Sequence, residues 1–490
     1  MNSKNELEAS DLEPSDSSLE GKLTHKIPFA WEKYTDEQKR QVRDFSEDYL
    51  EFLRNARTER ERTNWAVKQA QKFGFKRVEL GKEINTLQPG DKIYYVNKHK
   101  NVALVVVGTQ SMTEKTHLIG SHIDTPRLDL RVNPLVDDKQ AGVGLFKTHY
   151  YGGIKKYQWT TVPLHLTGII IKKDGTKVEI DVGRDAEDPV FTIPDLLIHL
   201  SSTVQAKRTM REVIKAEEMT VLAGGLPVAD KKAKEKFKLN ILQILNEKYG
   251  ILEEDFLSAE LNLVSGIPPR YIGFDKSMIG AAGHDDGVCA WTSARALFDL
   301  KKVPAYTSVV CFFDKEETGS NGATGAESKW LYFVMNDLMV RTGISENISN
   351  LNVVLSNSFM VSSDVSAAVD PAFKTVHDIQ NAAILGKGIT LVKYTGSGGK
   401  YSANDANAET VAYMRQIFSK AEVPFQMGQL GEVDKGGGGT IAKYMAETFN
   451  CEVIDVGTPV LNMHSPYEIV HIADVYATYL GYLAFLGYKQ

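Results

Sequence analysis

Cysteine is scarce in this chain: Cys289, Cys311 and Cys451 are the only three in 490 residues, and no two stand at CxxC spacing. So sparse and odd a set excludes a disulfide framework and suits a reducing compartment, with buried, inert thiols as the simplest reading. Long hydrophobic runs are missing too, since no stretch reaches the roughly 18–20 apolar residues that a membrane span needs. The opening MNSKNELEASDLEPSDSSLEGK lacks the apolar core of a signal peptide. It is polar, acidic and Ser-rich, so residues 1–26 read as a disordered tail, and a cytoplasmic protein is expected. A basic excess is absent: 57 Lys and Arg stand against 63 Asp and Glu, a net charge of −6. Neither nucleic acid nor membrane is therefore expected as a partner.

What is present is a hydrophobic fraction of 42%, enough for a sizeable core. From Thr35 to about Phe73 the pattern is helical, with Val42, Phe45, Tyr49, Phe52 and Leu53 at three- and four-residue steps and Gly74 as a stop. Two strand-like runs follow, KIYYVNKH and NVALVVVG. Short apolar strands then alternate with helical or loop material: HLIGSHID, SVVCFFDKEE, NVVLSNSF and CEVIDVG. That alternation predicts an α/β fold with a mainly parallel central sheet flanked by helices. Residues 134–268 differ, with short β-like runs such as VPLHLTGIIIKK and KVEIDVG and a Lys-rich helical patch. They read as an inserted β-rich domain splitting a catalytic domain of residues 27–133 and 269–490. GSGGK at 396–400 and KGGGG at 435–439 read as flexible loops.

In parallel sheets, ligands bind beyond the carboxyl ends of the strands. His122, Asp124, Glu316, Glu317 and Asp364 fall at or just past such ends, and His464 follows the CEVIDVG strand by a short loop. In FFDKEETG, one carboxylate can ligate a metal while its neighbour polarises a metal-bound water. In GSHIDTP, His122 offers a neutral nitrogen, and Asp124 can take the other ring N–H and fix the tautomer. In GHDDGV, the Asp pair precedes a helix. It either caps that helix or bridges two cations, which dimetal hydrolases hold about 3.5–4 Å apart. Asp364 and His464 add one candidate ligand each. Any one of these features alone is more often a solvated pair, a cap or an incidental motif. Together they run from residue 122 to residue 464. The mix of histidine and carboxylate suits zinc, cobalt or manganese rather than a thiolate-loving metal.

SHIDTP, IPDLLIHL (193–200), HDDGV, FDKEETGS, SSDVSAAVDP and DVGTPVLNMHS (455–465) occur in the order found in the M18 metallo-aminopeptidases. The chain resembles this family, which includes the aspartyl aminopeptidases and a yeast vacuolar aminopeptidase. The resemblance implies a zinc-exopeptidase-like fold and release of N-terminal residues from peptides with a free N-terminus. His122 and Asp364 would hold one divalent ion, Glu317 and His464 the other, with Asp285 bridging and zinc the expected metal. Glu316 would be the general base and Asp124 would orient His122. His199 would contact substrate in a neighbouring subunit's site, within a dodecamer. Lys393 and Tyr401 fall where the family has a substrate-contacting Lys and Tyr.

The departures lie around the substrate pocket. Ala367 and Asp370 stand where aspartyl aminopeptidases carry histidines, and WTTVPL (159–164) replaces WFDRDL. His284 precedes the bridging Asp285. A preference for acidic N-terminal residues is therefore not carried over, and a broad or neutral one fits as well. Two other readings stand beside the aminopeptidase: a deacylase or dipeptidase of the wider co-catalytic zinc group, and a catalytically silent scaffold. The retained ligands and Glu316 weigh against the scaffold. IPDLLIHL weighs against the deacylase.

Overall fold

The structure, a computed structural model, describes residues 19–82, 85–396 and 398–489. Residues 1–18 of the expected tail, and Ser397 in the GSGGK loop, lie outside them. Leu19–Leu23 of that tail forms an exposed helical turn rather than disordered chain. The helical stretch expected from Thr35 to about Phe73 forms two helices, Asp36–Asn55 and Glu59–Lys72. Each begins with a reciprocal cap, Thr35 with Gln38 and Thr58 with Glu61. The second cap, satisfying amide donors at residues 57, 58 and 61, restarts the chain in a new direction. NVVLSNSF is likewise split. A helix, Ile348–Ser356, starts at an Asn347 cap, and only Ser358–Ser362 is strand. Leu351, Val354 and Leu355 are buried at helical steps, which outweighs the β-branched character of the run.

Three sheets organise the described residues. In the largest, of nine strands, parallel pairing runs unbroken across four central strands: Thr307–Phe313, Thr116–His122, Ser358–Ser362 and Glu452–Gly457. Asn101–Val106 and Ile389–Val392 close the two sides of this group antiparallel, so the sheet is mixed. Alternate residues of the central strands enter two separate cores. Ile119, Val310 and Val361 join the one around Trp291 and Phe485, while Leu118, Val309 and Met360 join the one around Leu338 and Met445. Strands covered on both faces read as near-continuous apolar runs, as residues 309–313, VVCFF, do. Trp291, 2% exposed, sits against Phe45 and Tyr49 at ring separations of 4.6 and 5.0 Å. Truncating such a side chain costs about 3–5 kcal/mol.

A second sheet, of six antiparallel strands, is built from residues 127–265 around its own core of Phe146, Trp159, Leu164 and Leu263. Its strands Arg127–Asp138 and Val143–Tyr151 lie next to the carboxyl end of Thr116–His122 in the chain. A third, five-stranded sheet carries the segment around His464 between Pro459–Leu461 and Glu468–His471. No helix among the described residues is long and apolar enough to cross a membrane.

Candidate metal centre

The four central strands deliver their carboxyl ends to one place. His122 is the last residue of its strand, and its ring is buried. Its Nδ1 lies 3.0 Å from the backbone oxygen of Asp124. A carbonyl only accepts, so Nδ1 carries the proton and Nε2 presents its lone pair. That Nε2 stands 3.0 Å from Asp285 Oδ1 and 3.8 Å from Asp364 Oδ1. His464, at φ +66, is set the same way: Nδ1 donates to Gly153 O at 2.8 Å, leaving Nε2 3.2 Å from Asp285 Oδ2 and 3.4 Å from Glu317 Oε2.

Asp285 therefore shows one carboxylate oxygen to each histidine. It precedes the regular part of the helix His284–Phe298, with non-helical dihedrals at Asp285 and Asp286, and no side chain caps that helix. The peptide between the two aspartates is cis. Glu316 and Glu317 lie in a 3-10 turn bracketed by Lys315 at φ +67 and Gly319 at φ +97. This turn swings two consecutive carboxylates toward one cavity, where a straight strand would point them apart.

Two groups result, His122 with Asp285 and Asp364, and Asp285 with Glu317 and His464, the ligand atoms in each lying within 4.8 Å of one another. Their chemistry asks for cations. Burial, then the charge of Asp285, pushes Glu317 well above the usual carboxylate range. Asp364 is pushed well above it by burial, with His122 opposing and Asp285 adding to the rise. Glu317 Oε1 is buried without a hydrogen-bond partner among the described residues. Two imidazoles, each turning Nε2 toward carboxylate oxygens, and oxygen donors fit zinc, and also cobalt or manganese. With Glu316, the three carboxylates carry the negative charge that a pair of divalent ions would balance.

The groups form one end of a cavity of about 550 Å³, shared with Glu316, Lys400 and the glycine loop 436–439. Glu316 is pushed up to about 7, chiefly by burial. The Asp124 carboxylate does more than was expected of it. It lies 3.4 Å from His122 Nδ1, but its hydrogen bonds come from the Glu316 and Glu317 amides and the Tyr151 hydroxyl.

The remaining expected residues stand elsewhere. Lys393 pairs with Asp405 at 2.8 Å and does not line the cavity, and Tyr401 is 76% exposed. Tyr394 and Lys400 line the wall instead. His199 lies on the exposed short helix Ile198–Val204, away from the cavity of its own chain. His284 is not a ligand: Tyr49 Oη lies 2.7 Å from its Nδ1 and Ile279 O 3.1 Å from its Nε2, and burial pulls it down to about 3.

Three supporting residues escaped the sequence reading. Glu468 accepts the amides of Asp285 and His464, Arg62 donates to the carbonyls of Ile123 and Gly283, and Tyr151 reaches Asp124. Only Glu468, four residues after His464 in LNMHSPYE, had a local signal.

Paired histidine and carboxylate groups at strand ends of an α/β sheet are the makings of a metal-dependent hydrolase. The family model described as Aminopeptidase I zinc metalloprotease (M18) matches residues 52–486. A probable M18 family aminopeptidase 1 of Clostridium acetobutylicum is 46% identical over 460 residues, 94% of this chain and 97% of that protein. One from Borrelia garinii is 44% identical over 462 residues, 94% of this chain and 99% of its own length. The crystal structure of an M18 aminopeptidase from Thermotoga maritima matches with a TM-score of 0.88 at 43% identity, covering 94% of this chain and 99% of that one. The chain belongs to the M18 family of metal-dependent aminopeptidases.

Proposed function

We propose that the chain releases N-terminal amino acids from peptides at a centre of two divalent ions, with zinc the first choice. The observation that carries this reading is the placement of Asp285, with one oxygen toward each histidine at 3.0 and 3.2 Å. His122 and Asp364 would hold one ion, Glu317 and His464 the other, and Asp285 both. The ions would supply an activated water and polarise the scissile carbonyl.

Glu316 then acts as the general base. A carboxyl held near neutrality takes the proton from the attacking water and hands it to the departing amine nitrogen. The cavity wall, with Val365, Ala367, Val392, Leu430 and Met463, favours a neutral side chain at the released position. Glu432, Asp434 and Asp455 also line the cavity, and their charge weighs against an acidic side chain there. A substrate's free α-amine held at the metal end restricts cleavage to the chain end.

Residues 134–268 act as the inserted domain that mediates assembly and shapes access to the site. A relative of known fold, the S. cerevisiae mApe1, is a dodecamer and shares the fold with a TM-score of 0.72 at 20% identity. Exposed Leu197, Ile198 and Leu200 give this chain an apolar helix suited to burial between copies. The protein works in the cytoplasm on this reading.

The test is release of the first residue from aminoacyl anilides and short peptides, after chelation and after restoring zinc, cobalt or manganese. Metal-dependent release confined to free N-termini supports the reading. A folded, metal-loaded protein that cleaves only acylated substrates would replace it with a deacylase.

A further inference from the structure

The Asp124 carboxylate is fully buried, and its bonding is unevenly shared. Oδ1 accepts the Glu316 amide at 3.0 Å, and Oδ2 accepts the Glu317 amide at 3.2 Å. The third donor comes from the other sheet: the Tyr151 hydroxyl donates to Oδ2 at 2.8 Å. Two amides from one short turn would let carboxylate and turn shift together. A donor from a separately anchored strand removes that freedom.

Tyr151 is so anchored. The Arg127 guanidinium lies 4.0 Å from its ring centroid, and Arg127 is pinned by Glu59 at 3.0 Å and Asp129 at 2.8 Å. The next two residues press on the same half of the centre. A side chain on Gly152, at φ +78, would crowd Glu317, its Cβ standing 3.2 Å from Glu317 Oε2 and 3.3 Å from Glu317 Cβ. Gly153 O fixes the His464 ring. The segment from Tyr151 to Gly153 thus bears on Glu316, Glu317 and His464, while the His122 ring beside Asp364 donates its hydrogen bond to the backbone oxygen of Asp124 at 3.0 Å, the Asp124 carboxylate standing 3.4 Å off.

We propose that Tyr151 is a positioning residue for the catalytic turn, acting through Asp124 to set where Glu316 and Glu317 stand. The proposal rests on the two-ion reading given above. It makes the six-stranded sheet a working part of the metal centre, and it predicts an asymmetric effect. Loss of the hydroxyl loosens the Glu317 ion and the base, and leaves the Asp364 ion alone. A hydroxyl that merely satisfied a buried carboxylate would show no such asymmetry.

Tyr151→Phe removes the hydroxyl and keeps the ring on Arg127. The full-length protein is stripped of metal and titrated calorimetrically with cobalt, and kcat and KM are measured after reloading. The expected result is one cobalt affinity weakened roughly 10- to 100-fold with the other unchanged, and kcat lowered by a similar factor with KM within about twofold. Replacing Tyr151 with 4-aminophenylalanine, which restores a donor at the same place, should recover most of both losses. This variant also carries the test should the Phe form fold poorly. The proposal is overturned if kcat and both affinities in Tyr151→Phe match the parent, if both affinities fall equally along with the thermal midpoint, or if the amino variant gives no rescue. A parent protein that takes up only one cobalt would sink the two-ion reading instead, and the kcat-against-KM split would still decide the role of Tyr151.

Discussion

Glu468 holds Asp285 and His464 by their backbones rather than their side chains. Its Oε2 accepts the Asp285 amide at 3.1 Å and its Oε1 the His464 amide at 2.7 Å. Burial, with the charge of Asp285, pushes its carboxyl up to about 8, while the two amides favour the ionised form that offers both oxygens. Glu468→Gln keeps the shape but turns an NH2 group toward one of those donors. Metal affinity should fall roughly 10- to 100-fold, as for other groups that orient ligands. Cobalt titration checks this, and an affinity equal to the parent's would show that the two amides need no carboxylate.

The roles of Glu316 and Asp285 separate in a paired experiment. Glu316→Gln leaves both ligand groups whole, so the metal content of the purified protein should stay at the parent level. Turnover should fall about 10²- to 10⁴-fold with the loss of the base. Asp285→Asn removes charge from both groups at once, and occupancy of both ions should fall. Elemental analysis beside anilide turnover reads the two effects. Normal turnover in Glu316→Gln, or full loading in Asp285→Asn, would remove the corresponding role.

The residues of the two candidate groups were legible in the sequence because metal chemistry constrains residue type. A histidine or carboxylate at the end of an apolar run stands out, and five such sites in family order stand out further. Their supports were not legible. Arg62 lies in the first turn of its helix in a polar stretch and meets the carbonyl of Gly283, 221 residues away. Tyr151 closes a strand whose alternation says only that it is half-buried. Partners that are backbone groups distant in the chain leave no local pattern to find. The errors in element limits have a different origin: Thr58 with Glu61, and Asn347, are visible caps, but apolar periodicity running across them masks the breaks. The exchange of Lys393 and Tyr401 for Lys400 and Tyr394 at the cavity wall follows from the path of the loop between them, which residue spacing does not determine.

Assembly can be probed at an exposed apolar helix. Ile198 is 75% exposed on the helix that carries His199. Ile198→Asp costs little within one chain, because surface substitutions usually lie within about 0.5 kcal/mol. Between copies it buries an unpaired charge and should break the assembly. Light scattering should show a lower mass at an unchanged thermal midpoint. If His199 serves a neighbour's site, His199→Ala should raise KM in the intact assembly, and Ile198→Asp should lose activity together with mass. An Ile198→Asp protein of parental mass would place the interface elsewhere.

His117 gives the fold a dependence on pH away from the metal centre. The ring is fully buried, stacks on Phe485 at 4.3 Å and lies 3.0 Å from the Tyr413 hydroxyl. Burial, helped by Lys115, pulls its pKa down to about 3. In the unfolded chain the group titrates near 6.5, so between those values the unfolded state holds a proton that the folded state does not. Stability from this residue is complete above about pH 6.5 and is lost as pH falls, at about 1.4 kcal/mol per unit. Between pH 7 and pH 5 the parent should lose about 2 kcal/mol more than His117→Gln, which has no such group. Urea unfolding of both proteins at the two pH values measures the difference. Equal losses would mean that the buried ring takes up its proton without unfolding the strand that carries it.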